Sequence, residues 1–261
     1  MSKMMNFLKW AALVLRCLII VIILLLMMLF CVQSMRGQEV PLVRAQHSSF
    51  VSYYDIVKHN PALVVYQLEA RHFAGSYKVS GRHFKQDTKL PKPRVKDSDY
   101  SGSGYVRGHL CSAGDRDSDK AWLKETYLSS NLVPMTMLCN SGSWKMIEDS
   151  CRALAMQDHR LKVGRGPLYR SAADVLQLVI QNRFCIAIPD GFFCVAECID
   201  CGLVYFSACE NVGSRQKDRV IHARYVSQVP AASFESDTRV RMLLTKIFGI
   251  WSLEAYETIT H

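Results

Sequence analysis

The pattern of apolar and polar positions divides this sequence into two unlike parts. From Cys17 to Val32, every side chain is apolar apart from two cysteines. A helix that begins at Trp10 and continues to the end of this run has 23 residues and a length of roughly 35 Å. Such a helix crosses the hydrocarbon core of a bilayer, while Arg16 extends toward the interface. The first part of the chain is therefore predicted to contain a transmembrane helix.

The charges beside this run predict the direction of insertion. Lys3, Lys9 and Arg16 precede the run without any acidic residue, and by the positive-inside tendency this leaves the N-terminus in the cytoplasm. Residues 1–34 are predicted to be a membrane anchor, or a signal sequence that is cleaved near Ser34. In either case the rest of the chain is predicted to be exported to the periplasmic or extracellular side, and to be secreted if cleavage occurs.

After a linker predicted at residues 35–45, the pattern becomes that of one folded domain, predicted over residues 46–261. The run from Pro61 to Ala70 predicts a core strand. Between Leu176 and Cys209, β-rich runs alternate with Pro-Asp-Gly and Cys-Gly breaks, as in antiparallel strands. The domain is therefore predicted to contain an antiparallel sheet.

Helices are predicted at three places in this domain. From Ser141 onward, apolar residues recur at spacings of three and four, which indicates an amphipathic helix. Before it, a short helix is predicted with Asp117 or Ser118 as its N-cap. The basic and apolar segment from Arg239 to Ile250 is predicted to form a terminal helix.

Composition narrows the class of protein without identifying a function. With 49% hydrophobic and 21% charged residues, the chain is neither disordered nor collagen-like. Of the formal net charge of +9, residues 1–45 contribute +4. The remaining +5 is a mild basic bias, which is consistent with a polyanionic partner and equally with an ordinary solvated surface.

Eight of the ten cysteines lie outside the apolar run, an even number that is compatible with disulfides in an oxidising compartment. Cys194, Cys198 and Cys201 have spacings that are typical of metal ligands. Because no second Cys-x-x-Cys pair follows them, small buried cysteines, or one or two disulfides, are favoured over zinc.

Three short motifs carry the candidate chemistry. The first, YVRGHL, contains an arginine, a glycine and a histidine in a row; the second, NLVP, extends from Asn131 to Pro134; the third opens at Asn140. Taken singly, such a histidine is more often structural, and the i,i+4 pair of Glu148 and Arg152 is more often a surface salt bridge. The motif residues are Arg107, Gly108, His109, Asn131, Pro134, Asn140, Trp144, Glu148 and Arg152.

In order and spacing, these motifs resemble the DNA/RNA non-specific endonuclease family, the ββα-metal (His-Me finger) nucleases that include endonuclease G. The segment GRHFKQD resembles the family's arginine-bearing loop, with Arg82 as the counterpart of a phosphate-contacting arginine. The resemblance implies an α+β fold with a central antiparallel sheet flanked by helices. It also implies an endonuclease that depends on Mg²⁺, with Mn²⁺ as a substitute, and that cleaves DNA and RNA without sequence preference. Homodimers are common in the family.

The roles that the resemblance implies agree with the chemistry of phosphodiester hydrolysis, which needs a base, a cation and positive groups around the phosphate. A neutral imidazole accepts a proton near physiological pH, which suits His109 as the general base. The amide oxygen of Asn140 is a hard ligand for Mg²⁺ and is implied to be its only direct protein ligand. Glu148 is implied to hold a water of the metal ion. The implied catalytic residues are His109, Arg82, Arg107, Glu148 and Arg152.

The sequence departs from the family pattern at Val106, which replaces the aspartate of the signature. A valine offers no hydrogen-bond acceptor, and Asp99, Asp115 and Asp117 are candidates to compensate for the loss. Two functions are therefore compatible with the sequence. The first is an active Mg²⁺-dependent endonuclease, and the second is a catalytically weakened nuclease fold that serves as a membrane-tethered module for binding nucleic acid or another partner.

Three further positions differ from residues that are common in the family. They are Met135, where glutamine usually follows the proline, Ser112, where proline is common, and Arg165, where threonine commonly precedes Gly-Pro.

Overall fold

The computed structural model describes residues 40–78, 84–157, 159–169, 177–180, 184–211, 220–223 and 238–248. The predicted anchor at residues 1–34 lies outside the described residues. Within the described part, no helix is both long and apolar enough to cross a membrane. The first strand begins at Val43, so the segment predicted as a linker at residues 35–45 overlaps the sheet.

A seven-stranded antiparallel sheet forms the centre of the domain as described. Each neighbouring pair of its strands is antiparallel, as the sequence predicted. In spatial order the strands are β1 (Val43–Gln46), β2 (Val51–Asp55), β3 (Asn60–Leu68), β6 (Leu161–Leu168), β9 (Gly191–Cys198), β10 (Val204–Glu210) and β11 (Val220–Ala223).

The remaining described strands form two separate antiparallel pairs. They are β4 (Val106–His109) with β5 (Leu132–Met135), and β7 (Gln177–Ile180) with β8 (Phe184–Ala187). The α-helices in the described residues are α1 (Lys120–Glu125), α2 (Met137–Ser141), α3 (Ser143–Ala155) and α4 (Thr238–Phe248).

A helix covers each face of the central sheet. On one face, Trp144 of α3 belongs to an apolar cluster that includes Val64 of β3. On the other, Leu244 and Phe248 of α4 belong to a cluster that includes Leu63 of β3. Adjacent residues of a strand point to opposite faces, so β3 is buried on both sides. This explains why its sequence is an almost continuous apolar run.

The structure confirms the core strand predicted from Pro61 to Ala70, which is β3, and the terminal helix, which is α4. The single helix predicted from Ser141 is wrong in its start, because the chain forms two helices that are interrupted at Gly142. Gly142 has backbone angles φ −107° and ψ −103°, outside the helical region. As a result, Asn140 lies within α2, three residues before α3 begins at Ser143.

The predicted cap of the short helix α1 is also corrected. The helix is capped by Asp119, whose Oδ1 accepts hydrogen bonds from the backbone N–H groups of Ala121 and Trp122 at 2.7 and 3.0 Å. The predicted alternative Asp117 instead accepts a hydrogen bond from the backbone N–H of Gly75. An N-cap must directly precede the first helical turn, and only Asp119 does so.

Strands β4 and β5, followed by α2 and α3, place the three sequence motifs in one ββα arrangement. The buried side chain of Asn131 fixes the end of β4. Its Oδ1 accepts from the Cys111 N–H at 2.7 Å, and its Nδ2 donates to the carbonyls of Cys111 and Thr126, both at 2.8 Å. The asparagine of the second motif is therefore a structural residue, which holds the strand that carries His109.

The cysteines of the domain include two close thiol contacts. The sulfur atoms of Cys139 and Cys209 lie 3.8 Å apart, and those of Cys151 and Cys194 lie 3.6 Å apart. These contacts lie between α2 and β10 and between α3 and β9, and all four cysteines are free and belong to the apolar cluster between α3 and the sheet.

Candidate active site

Strand β4 presents Arg107 and His109 on one face, because side chains alternate along a strand. Both side chains reach Phe84: the guanidinium of Arg107 lies 5.2 Å from its ring centre, and the imidazole of His109 lies 5.7 Å from it. The His109 ring also meets Tyr127 edge-on at 5.1 Å. The aromatic side chains thus fix the orientation of a partly exposed imidazole.

A hydrogen bond ties helix α3 to the histidine strand. The indole Nε1 of Trp144 donates to the backbone carbonyl of His109 at 3.0 Å. Trp144 itself is almost completely buried beneath the site and packs against Phe192 of β9. The third motif is therefore anchored to the first by a direct contact.

Asn140 lies in α2, which packs near β4. Thr136 caps this helix, and its Oγ1 accepts from the Cys139 N–H at 3.2 Å. The Asn140 side chain is half-buried, and it makes no hydrogen bond with any residue that the structure describes. An amide oxygen that is half-buried and available in this way fits a hard cation such as Mg²⁺.

A fully buried carboxylate, Asp115, lies at the centre of the charged residues below the site. It is 0% exposed. The hydroxyl of Tyr66 donates to its Oδ2 at 2.7 Å, and Arg152 Nη1 donates to its Oδ1 at 2.6 Å. Arg165 Nη1 lies 3.4 Å from Oδ2. Both oxygens of the buried carboxylate are therefore paired with positive or hydroxyl donors, as its burial requires.

Glu148 is the second carboxylate of this group and is mostly buried. Ser112 Oγ donates to its Oε2 at 3.2 Å. The nearest guanidinium nitrogens of Arg152 and Arg165 are each 3.9 Å from a carboxylate oxygen of Glu148. The pKa of Glu148 is raised to about 7: burial is the main cause and the charge of Asp115 adds to it, whereas Arg165, Arg152 and the hydrogen bond from Ser112 oppose the shift. The side chain can therefore gain or lose a proton near neutral pH.

Arg165, which the sequence marked only as a departure before Gly-Pro, proves to be a member of this charged group. It is 0% exposed, and its guanidinium donates to the Leu110 carbonyl at 3.2 Å. It also lies 5.5 Å from the ring centres of both Tyr66 and Trp144. The one feature of the sequence that could have indicated its pairing with Asp115 is that an arginine stands in the middle of a mostly apolar strand, β6.

The other predicted arginines differ in their placement. Arg107 is held by Asp97, with its Nε 2.5 Å from Oδ1, and its guanidinium stacks over Tyr100 as well as Phe84. Arg152 is held between Asp115 and Asp149 and is partly exposed. Arg82 lies outside the described residues.

Val106 lies on the face of β4 opposite His109 and packs against the apolar cluster of α3. Its neighbour Gly108 shares that face, where a Cβ would lie 2.3 Å from the sulfur of Met135. Of the three aspartates considered as substitutes for the missing carboxylate, only Asp115 belongs to the charged group. It is engaged by Arg152 and Arg165.

Comparison with known proteins relates this geometry to a family. The sequence model of the "DNA/RNA non-specific endonuclease" family matches residues 35–235. "Nuclease EXOG, mitochondrial" of Xenopus laevis is 33% identical over 132 residues, which cover 49% of this chain and 37% of that protein. "Endonuclease G, mitochondrial" of Bos taurus is 30% identical over 154 residues, or 56% of this chain and 51% of that protein.

Among solved structures, a chain of the EndoG/EndoGI complex matches with a TM-score of 0.55 and 24% identity. The match covers 76% of this chain and 84% of that chain, and it shows a similar fold. The curated relatives are matched over about half of their length or less.

The raised pKa of Glu148 predicts a pH dependence of stability. Burial raises it from 4.5 to about 7, so the folded protein binds this proton more tightly than the unfolded chain does. The stabilisation is complete below the unfolded pKa and is lost as the pH rises through the folded pKa. We expect the melting temperature of the wild type to fall relative to that of Glu148→Gln between about pH 5 and about pH 8.

The control for this measurement is Glu197→Gln, which removes a partly exposed carboxylate that pairs with Lys162. Its melting curves are expected to follow the wild type across the same range. A difference between the wild type and Glu148→Gln that stays constant with pH would show that Glu148 does not titrate there.

Proposed function

Because the chain belongs to the DNA/RNA non-specific endonuclease family, we propose that it is a Mg²⁺-dependent endonuclease that hydrolyses phosphodiester bonds of DNA and RNA. The observation that carries this proposal is the ββα arrangement in which the Trp144 indole binds the backbone of His109. This contact joins the strand of the base to the helix that carries Glu148. A site of this kind acts on the phosphate backbone, so cleavage without sequence preference is expected.

In this proposal, the imidazole of His109 removes a proton from the attacking water. The ring must be neutral to do so, and Phe84 and Tyr127 hold it in one orientation. The ionised carboxylate of Glu148 accepts a hydrogen bond from water in the site and thereby orients it. Since the pKa of Glu148 is raised to about 7 by burial, this ionised form becomes dominant only above neutral pH.

Asn140 is proposed as the residue that holds the metal ion through its amide oxygen. A bound Mg²⁺ supplies charge neutralisation for the phosphate and the leaving oxygen, and Mn²⁺ is expected to substitute for it. Arg152 and Arg82 are proposed to contact the remaining phosphate oxygens, and Arg107 is proposed to add positive charge beside His109. Asp115 fixes Arg152 for this contact, because it binds one of its guanidinium nitrogens.

The apolar run from Cys17 to Val32 supports a further part of the proposal, which concerns location. We propose that the nuclease domain is exported and remains attached to the membrane through this segment.

The proposal predicts that the full chain degrades plasmid DNA and RNA in the presence of Mg²⁺ and that a chelator abolishes the degradation. His109→Ala is expected to lower the rate by about 10²–10⁴-fold, since it removes the general base. Asn140→Ala is expected to require a higher Mg²⁺ concentration for the activity that remains. Initial rates of supercoiled-plasmid cleavage measure both effects.

The matched control is His59→Ala, in the turn between β2 and β3, which is expected to retain wild-type rates. Degradation that persists undiminished in His109→Ala, or that the wild type lacks altogether, would contradict the proposal.

Val106→Asp tests whether the natural chain is a weakened nuclease. Because Val106 points away from His109 and toward the apolar cluster, the aspartate is expected to change the cleavage rate by less than about tenfold and to lower the melting temperature. Val106→Asn, which has a similar shape without the charge, is the matched control. A gain of several orders of magnitude specific to the aspartate would instead favour the second function, a nuclease fold retained for binding.

A further inference from the structure

A histidine and two cysteines, residue types that commonly bind metal ions, lie together at the turn between β9 and β10. Cys198 ends β9 and Cys201 lies in the turn, while His159 lies two residues before the neighbouring strand β6. Since Leu161 pairs with Cys198 in the sheet, the register brings the histidine next to the cysteines. The nitrogen or sulfur atoms of the three side chains all lie within 4.8 Å of one another.

The turn has the backbone geometry of a cysteine metal loop. The backbone N–H of Cys201 points at Cys198 Sγ, with a distance of 3.2 Å, and the Gly202 N–H donates to the Cys198 carbonyl at 2.8 Å. Gly202 has a φ of +72°, which other residues rarely adopt. A metal-bound thiolate commonly accepts such N–H donors, so this arrangement is compatible with a metal site.

The spacing of the side chains fits a tetrahedral ion. With Zn–S bonds of about 2.3 Å and Zn–N bonds of about 2.0 Å, the ligand atoms of a tetrahedron are separated by about 3.5 to 3.8 Å. His159 Nδ1 lies 3.6 Å from Cys198 Sγ. None of the three ligand atoms is more than 4.8 Å from another, and Cys201 is exposed.

Asp200, between the two cysteines, holds the histidine segment in place. Its Oδ1 accepts from Arg160 Nε and Nη2 at 2.8 and 2.7 Å, and its Oδ2 accepts from the Arg160 backbone N–H at 2.8 Å. The Ile199 N–H also donates to the Arg160 carbonyl at 2.8 Å. Arg160, which follows His159, is thus bound to the cysteine loop through its side chain, its N–H and its carbonyl. These bonds hold His159 beside the two cysteines before any metal ion binds.

We propose that His159, Cys198 and Cys201 bind one Zn²⁺ ion, with solvent in the fourth position. Thiolate and imidazole ligands select zinc, whereas the amide oxygen of Asn140 suits Mg²⁺, so the two sites take different ions. Bound zinc links the start of β6 to the β9–β10 turn and stabilises that end of the sheet. Sequence spacing disfavoured zinc because a second Cys-x-x-Cys pair is missing, but His159, 39 residues before Cys198, supplies the third ligand.

The test measures zinc on the full chain, purified under reducing conditions, incubated with Zn²⁺ and separated from unbound metal. Mass spectrometry of the metal content is expected to give about one zinc per chain, and Cys201→Ser and His159→Ala are each expected to lower it at least about tenfold. Incubation with Co²⁺ is expected to give the thiolate-to-metal absorption of a tetrahedral site, which Cys201→Ser loses. Since Cys201 is exposed, this variant is expected to fold normally.

Two variants serve as controls, Cys185→Ser for the loss of a cysteine outside the cluster and Asn140→Ala for the proposed Mg²⁺ site. Both are expected to retain zinc. Less than about a tenth of a zinc per chain in the wild type, or retention that Cys201→Ser does not change, would overturn the proposal. A Cys198–Cys201 disulfide that persists under the same reducing conditions, detected by peptide mass, would overturn it as well.

Discussion

Burial of the Asp115 carboxylate imposes the arrangement of charges beneath the candidate active site. An isolated buried carboxylate costs several kcal/mol, so it must be matched by hydrogen bonds and positive charge. Tyr66 of β3, Arg152 of α3 and Arg165 of β6 supply them. One carboxylate therefore ties two strands of the central sheet to the helix that follows the histidine strand.

The same constraint determines the environment of Glu148. Arg152 and Arg165, which neutralise Asp115, each also lie 3.9 Å from a carboxylate oxygen of Glu148. Glu148 therefore shares both positive charges with Asp115. Burial and the charge of Asp115 then outweigh the arginines and raise the pKa of Glu148 to about 7. Arg165, which stands where the family commonly has threonine, therefore affects the pKa of Glu148, a proposed catalytic carboxylate. The other departure, Val106, faces away from His109.

Sequence periodicity and motif spacing predicted the parts of the fold that depend on local pattern. Strand β3 and helix α4 follow from their runs of apolar residues, and the ββα arrangement was implied by the resemblance of the three motifs to the nuclease family. The break at Gly142 was missed because the apolar spacing that predicted the helix begins only at Trp144 and says nothing about the residues before it. The roles of Arg165 and His159 were missed because each depends on burial or register between strands that are distant in sequence.

Chemical rescue of His109→Gly tests the central claim, that this domain cleaves phosphodiester bonds with His109 as its base. The full-length variant is assayed on plasmid DNA with Mg²⁺, with and without added imidazole, beside the wild type and Asn140→Ala. Our account predicts that imidazole raises the rate of His109→Gly at least about tenfold and leaves Asn140→Ala unchanged. Wild-type protein without Mg²⁺-dependent cleavage, or His109→Gly with the full wild-type rate before imidazole is added, would contradict it.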